Sequence, residues 1–174
     1  MRIVAATQDD LSPIRDAYES GRAIQRTQQS VVWPPFSDDA IIREMTNGAL
    51  FTVFDGAIIA GVFSMIDDDS LIWGDAKIGA HLNLHRIARG ANYRGRSLVD
   101  VILAWARHQC QARGFDGLRM DTWASNAALI AYYEARGFHL VGTRRLEADP
   151  RLAVHYHGIE VALLEAPSTT TRQR

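Results

Sequence analysis

Cysteine, net charge and long apolar runs are all scarce in this sequence of 174 residues. Cys110 is the only cysteine, so the fold does not depend on disulfide bonds. No apolar run approaches the roughly 20 residues that span a bilayer. The N-terminus also lacks the basic and then apolar pattern of a signal peptide. We therefore expect a cytoplasmic protein without a membrane partner.

The charge balance argues against nucleic acid as a partner. Nineteen basic residues stand against 20 acidic ones, which leaves a formal net charge of −1. Such a chain has no overall basic field to hold a phosphate backbone. With 47% hydrophobic residues it can bury a core of its own. We expect a single domain over residues 1–166 and a flexible C-terminal tail over residues 167–174.

Helical periodicity organises the first part of the chain. One helix is predicted from three apolar residues at helical spacing, Leu11, Ile14 and Tyr18. The periodicity fails between Arg22 and Phe36, where prolines interrupt an apolar segment that either packs or binds a ligand. A second helix is predicted from Ser37 to the Asn47-Gly48 pair, which suits a left-handed cap.

Strand patterns follow the second helix. Two β-rich runs flank Asp55-Gly56, a sequence typical of a tight hairpin. Further on, strands over 81–88 and 117–123 flank a helix that Gly114 ends, which predicts a parallel pair with a right-handed crossover. The final antiparallel pair is predicted over 138–142 and 154–164. The sequence thus predicts an α/β chain of the α+β type with a mixed, mostly antiparallel sheet.

The most informative stretch is the turn before the third long helix. An apolar strand runs into a turn rich in glycine and arginine, and Ser97 then opens an amphipathic helix. Free N–H groups and the positive dipole end of a helix attract phosphate. The turn is therefore a candidate anion site. Taken alone, Arg94 and Arg96 would more often decorate a surface turn.

Two segments carry a resemblance to a known family. The run Arg94-Gly95-Arg96-Ser97-Leu98-Val99 resembles the Arg/Gln-x-x-Gly-x-Gly/Ala cofactor turn of the Gcn5-related N-acetyltransferases (GNAT). Residues 126–138 resemble the family's Asn-x6-Tyr-Glu-x-x-Gly-Phe helix. Ser97 and Val99 stand where the family prefers glycine, and Arg89 stands where a small aliphatic residue usually closes the strand. The resemblance covers the chain to about residue 165 and implies a splayed parallel strand pair and helices on both faces of the sheet.

The resemblance implies acetyl-CoA as the co-substrate. The main chain of Ile87, Ala88 and Arg89 would pair with the pantetheine amides of coenzyme A. The pyrophosphate would be held by main-chain amides of the turn, contributed by Arg94, Gly95, Arg96, Ser97, Leu98 and Val99. Asn126 is suited to cap its helix, and in the family this position often contacts the cofactor as well.

The resemblance also implies direct attack of an amine on the thioester in a ternary complex. Tyr133 matches the family's tyrosine that protonates the departing thiolate, and a phenol with a pKa of about 10 is protonated at neutral pH. Tyr132 is the alternative. No carboxylate lies within 81–88 to take the amine proton. His85, or otherwise His81, could relay it, although a histidine in such a position is more often a packed or surface residue.

Apolar residues of irregular segments complete the expected site. By the same resemblance Trp33, Phe36 and Trp73 cover the acceptor side, and apolar walls suit a small molecule that carries a primary amine. A homodimer is left open. The alternative function is a non-catalytic or regulatory acyl-CoA-binding domain on the same fold.

Two histidines raise the question of a metal. His155 and His157 are predicted to share one face of a strand, because side chains alternate along a strand. Two histidines without a third ligand at suitable spacing are weak evidence for a metal site. We therefore expect no metal.

Overall fold

The computed structural model describes residues 1–28, 31–74, 80–95 and 98–169. The chain divides into two compact units. The first unit comprises Met1–Met65 and Leu84–Trp105, and the second comprises Ile66–Asn83 and Ala106–Arg174. Among the described residues, no helix combines the length and the apolar composition that crossing a bilayer requires.

The described residues form seven strands and five helices. The strands are β1 (Arg2–Ala5), β2 (Leu50–Asp55), β3 (Ile58–Ile66), β4 (His81–Arg89), β5 (Gly117–Trp123), β6 (His139–Arg145) and β7 (Glu160–Pro167). The helices are α1 (Leu11–Thr27), α2 (Asp38–Thr46), α3 (Ser70–Trp73), α4 (Leu98–Arg113) and α5 (Ala127–Glu134). Short 3-10 turns lie at Gln8–Asp10 and Val154–Tyr156. The strand order is β1-β2-β3-β4-β5-β7-β6, and β4–β5 is the parallel pair, which confirms the predicted mixed sheet.

Alternation along β2 and β3 places a helix layer on each face of the first unit. On one face, Leu50 and Val62 pack with α1 and α2 in an apolar cluster that includes Ile14, Ala17, Tyr18 and Ile41. On the opposite face, Phe51 and Phe63 stack with ring centroids 5.4 Å apart. Trp105 of α4 packs on both of these rings, at 5.0 Å and 5.7 Å. Helices therefore cover both faces, as predicted.

The predicted turns and caps are confirmed where their chemistry is local. The Ser37 side chain accepts a hydrogen bond from the Ala40 N–H at the start of α2. Gly56, in the turn between β2 and β3, has φ 61°, a left-handed conformation that favours glycine. Gly114, directly after α4, has φ 75° and ends that helix as expected.

Two predicted boundaries were wrong. Helix α1 continues past Arg22 to Thr27, because the following loop supports its last turns. The Arg22 Nε donates to the Trp33 carbonyl at 2.9 Å, and the Trp33 N–H donates to Gln25 Oε1 at 2.9 Å. A pattern of apolar residues cannot show such polar support.

The last strand begins at Glu160 rather than at Val154. Residues Val154–Tyr156 form a 3-10 turn, and Gly158 has φ 72°, so an extended strand cannot run through them. His155 and His157 therefore do not share a strand face. At the other end, β7 extends through Pro167, and the Ser168 N–H donates to the Asp116 carbonyl at 3.0 Å.

Candidate active site

The strand predicted to bind the cofactor is the end of β4, which lies in the first unit. Ala88 is buried in the apolar cluster with α1, Ile87 is half-buried and Arg89 is exposed. After the strand, the Gly90 N–H donates to the Ala60 carbonyl at 2.9 Å. The main chain expected to pair with pantetheine therefore leads directly into the glycine-rich turn.

At two glycines of this turn, a Cβ atom would force a neighbouring group to shift. A Cβ atom added at Gly90 would lie 2.1 Å from the Ile59 carbonyl oxygen. A Cβ atom added at Gly95 would lie 1.9 Å from the Tyr93 hydroxyl. The exposed Arg94 folds back onto the turn, where its Nη1 donates to the Ala91 carbonyl at 2.8 Å. The predicted residues Arg96 and Ser97 lie outside the described residues.

Helix α4 follows the turn and begins at Leu98. The Leu98 side chain is buried, and a Cβ atom at Gly61 would lie only 2.6 Å from its Cδ2. Val99 is half-buried. The helix is 16 residues long, and its first-turn N–H groups and positive dipole end suit the pyrophosphate of coenzyme A. The residues present thus fit the co-substrate that the resemblance implies.

Helix α5 of the second unit carries the predicted proton donor. Asn126 Oδ1 accepts from the Leu129 N–H at 3.1 Å, so its predicted capping role is confirmed. Tyr133 is buried against Phe138, with ring centroids 5.8 Å apart. Burial raises the pKa of Tyr133, and neighbouring Tyr132 adds to this, while Arg136 opposes it. The Tyr133 hydroxyl is therefore neutral at working pH, as a proton donor must be.

Tyr132, the alternative donor, has a different environment. The residue is 37% exposed, and the Arg136 guanidinium lies 3.6 Å from its ring centroid. Arg136 also donates from Nη1 to the Tyr132 carbonyl at 2.9 Å. Because a cation already covers one face of Tyr132, packing explains this residue without a catalytic role.

The two candidate histidines of β4 also differ. His81 is buried, and its Nε2 lies 3.3 Å from Glu165 Oε1. The other oxygen of Glu165 accepts from Arg119 Nε at 3.1 Å. Burial lowers the pKa of His81 and Arg119 lowers it further, against the opposing effect of Glu165 and Asp116. His81 is therefore a neutral, packed histidine. His85 is half-buried in the first unit, and its role as a relay stays a prediction.

This environment predicts how acid affects stability. Because the pKa of His81 is lowered on folding, the unfolded chain takes up the proton first as the pH falls below about 6.5. The folded state should therefore lose stability on acidification. We expect a smaller fall in unfolding free energy between about pH 7.5 and about pH 5.5 for His81→Gln than for the wild type. Urea titrations at each pH would measure the unfolding free energy, with the exposed His139→Gln as control. An equal fall in unfolding free energy for His81→Gln and the wild type would contradict the lowered pKa of His81.

The predicted acceptor residues are all packed within their own units. Trp33 and Phe36 lie against Tyr18, with ring centroids 6.3 Å and 4.7 Å from it. Trp73 is buried in the second unit, with the Arg119 guanidinium 4.2 Å from its ring centroid. These contacts give each ring a structural role, and the acceptor role stays a prediction.

One carboxylate with a suitable environment was missed. Asp121 on β5 is half-buried, and its Oδ2 accepts from the Tyr156 hydroxyl at 3.0 Å. The Tyr156 ring in turn lies 5.5 Å from the Trp123 ring. Sequence reasoning looked for a base only on β4. The spacing of two between Asp121 and Trp123 would have placed both on one face of β5.

Comparison with known proteins gives a consistent result. The model of the acetyltransferase (GNAT) family matches residues 18–138. A GNAT-family acetyltransferase from Listeria monocytogenes has a similar structure, with TM-score 0.72 and 20% identity over 94% of each chain. The PaiA N-acetyltransferase of Thermoplasma acidophilum, solved in complex with coenzyme A, gives TM-score 0.65 and 14% identity over 95% of this chain and 98% of that chain. The ribosomal-protein-alanine N-acetyltransferase from Brucella melitensis gives TM-score 0.69 and 17% identity over 96% of this chain and 99% of that chain. No curated protein sequence matches the chain.

Proposed function

The chain belongs to the GNAT acetyltransferase family, and from this premise we propose that it transfers the acetyl group of acetyl-CoA to a primary amine of a small molecule. The observation that carries the proposal is the continuous segment of β4, glycine-rich turn and α4. It has the chemistry of an anion site, and it falls inside the part of the chain that the family model matches. The coenzyme A bound to the PaiA structure supports the same co-substrate.

Each part of the segment has a proposed task in cofactor binding. The main-chain N–H and C=O groups of Ile87, Ala88 and Arg89 pair with the pantetheine amides. Amides of the turn and of the first turn of α4 hold the pyrophosphate, because backbone donors at a helix start carry a partial positive charge. Asn126 contacts the cofactor from the start of α5. Backbone groups dominate this scheme, so it tolerates differences in side chains.

The proposed chemistry is a direct transfer. Bound acetyl-CoA supplies a thioester, whose carbonyl carbon forms a bond to the amine nitrogen while the bond to sulfur breaks. The buried, neutral Tyr133 donates its proton to the sulfur. The amine loses a proton to a base, for which His85 and the half-buried carboxylate of Asp121 are the candidates. Cys110 is buried and burial raises its pKa to about 11, so a covalent acyl-cysteine step is not proposed.

The acceptor is tested by a screen of thiol release from acetyl-CoA over amines, aminoglycosides, amino acids and peptides. We expect release with a small primary amine, since the half-buried rings of Trp33 and Phe36 leave some apolar surface that suits a small molecule. A peptide that begins with alanine belongs in the panel, because the Brucella protein is named a ribosomal-protein-alanine N-acetyltransferase. Release with peptides alone would contradict the small-molecule acceptor while leaving acetyl transfer in place.

The second candidate is a non-catalytic or regulatory acyl-CoA-binding domain, favoured by Ser97 and Val99 in place of glycines and by Arg89 in place of a small aliphatic residue. Val99→Gly tests it. We expect the Kd for acetyl-CoA to stay within about tenfold, or 1.4 kcal/mol, because a working enzyme has shaped its turn around valine. Glycine costs roughly 0.5–1 kcal/mol of helix stability relative to alanine. The melting temperature of the variant is therefore measured beside its calorimetric Kd, so that a loss of stability is not read as a change in affinity. A much larger gain in affinity, from a parent that barely binds, would favour the non-catalytic domain.

A further inference from the structure

Arg86 has an unusual backbone conformation for a strand residue. Its φ is 50°, and among the described residues it is the only non-glycine residue with a positive φ. This conformation is unfavourable for a residue with a Cβ atom, because that atom approaches the following carbonyl oxygen. Arg86 directly precedes Ile87, the first residue of the main chain proposed to bind pantetheine. Such a conformation persists only where the surrounding structure enforces it.

A polar network surrounds the Arg86 side chain. Arg86 Nη2 donates to Glu44 Oε1 of α2 and to Ser64 Oγ of β3, the latter at 3.1 Å. The Ser64 hydroxyl donates to the second oxygen of Glu44 at 2.8 Å. On one side, the guanidinium lies 5.2 Å from the Phe36 ring centroid. Helix α2, strand β3 and the loop that carries Phe36 therefore all contact this side chain.

The network lies beside an apolar cluster. The side chains of Arg86 and Glu44 are each 24% exposed, and Tyr18 next to them is 2% exposed. Burial raises the pKa of Tyr18 to about 12, Glu44 also raises it, and Arg86 and Ser64 lower it. A half-buried ion pair loses much of its hydration and is weak evidence for stability. A role for this network beyond stability is therefore worth testing.

We propose that Glu44 is a positioning residue for cofactor binding, acting through Ser64 and Arg86. By holding Arg86 in the left-handed conformation, the network sets the direction of the N–H and C=O groups of Ile87–Arg89 toward the pantetheine amides. This inference rests on the proposed function. It adds to it a side-chain network, away from the turn motif, that determines acetyl-CoA affinity.

Two substitutions of Arg86 separate backbone conformation from charge. Arg86→Ala and Arg86→Gly both delete the guanidinium and both leave Glu44 without that partner. Only glycine adopts a positive φ without strain. In calorimetric titrations with acetyl-CoA, we expect Arg86→Ala to raise the Kd about tenfold and Arg86→Gly to stay within about threefold of the wild type. A network that only stabilises the fold would affect both variants equally.

The contribution of Glu44 is measured in a double-mutant cycle. Glu44→Ala should raise the Kd for acetyl-CoA about tenfold in the wild-type background and leave it nearly unchanged in the Arg86→Gly background. This arm also decides the question if Arg86→Ala does not fold. The inference would be overturned by equal Kd values for the Arg86→Ala and Arg86→Gly variants, or by an effect of Glu44→Ala that persists in the Arg86→Gly background. Either result leaves the proposed function in place as long as the wild type binds acetyl-CoA. A wild-type protein that binds no acetyl-CoA would contradict both.

Discussion

Replacing Tyr133 with phenylalanine should lower the turnover number about 10²–10⁴-fold while leaving the Kd for acetyl-CoA within about twofold. The substitution removes only the hydroxyl, so the ring still packs on Phe138 in its buried position. A general acid acts chiefly in the transition state, because sulfur becomes basic only as its bond to the carbonyl carbon breaks. Burial raises the pKa of Tyr133, which keeps the proton in place until it is needed.

Tyr132→Phe is the matched control for this result. The two tyrosines are adjacent on α5, but Tyr132 is exposed and lies under the Arg136 guanidinium. We expect its turnover number to stay within about threefold of the wild type. Steady-state kinetics at saturating acetyl-CoA would measure both variants. A large loss for Tyr132→Phe and none for Tyr133→Phe would exchange the two roles.

Gly90→Ala should destabilise the fold by about 3 kcal/mol. The added Cβ would lie 2.1 Å from the Ile59 carbonyl oxygen, and the next nearest atoms also belong to backbone. A flexible side chain could move aside, but here strand β3 or the end of β4 must shift. Since Gly90 directly follows the main chain proposed to bind pantetheine, acetyl-CoA affinity should fall as well. Urea unfolding monitored by circular dichroism would measure the stability loss.

Gly114→Ala is the control that shows the cost of backbone strain without the steric clash expected at Gly90. Gly114 has φ 75° and no atom within 4 Å of its added Cβ, so alanine there meets only an unfavourable backbone conformation. That cost is about 1–2 kcal/mol. The Gly90 variant should therefore be the less stable of the two. Equal losses would show that the approach of Gly90 to Ile59 relaxes easily.

Much of the fold could be predicted because its signals are local. A cap such as Ser37 and a left-handed glycine such as Gly56 act on residues within one turn of themselves. The parallel pair followed from the order strand, helix, strand, since a crossover of that length favours a parallel connection. Asn126 and the Gly114 helix end were found in the same way.

The errors and omissions arise where distant residues decide the structure. The end of α1 is supported by two hydrogen bonds with Trp33, one that Arg22 donates to its carbonyl and one that its N–H donates to Gln25. The left-handed Arg86 forms an ion pair with Glu44, which lies 42 residues earlier. Asp121 was missed because its hydrogen-bond partner, the Tyr156 hydroxyl, lies 35 residues later in the chain. Periodicity and short motifs report neighbours along the chain, so contacts at this separation remained hidden.

Calorimetric titration of the purified wild-type chain with acetyl-CoA tests the central claim most directly, because every step of the proposed transfer begins with that complex. Binding of one acetyl-CoA per chain is expected, together with a rise in melting temperature from preferential binding to the folded state. A ligand present at its Kd still stabilises the folded state by about 0.4 kcal/mol, so the absence of binding and of any melting shift at about 1 mM acetyl-CoA would contradict the account.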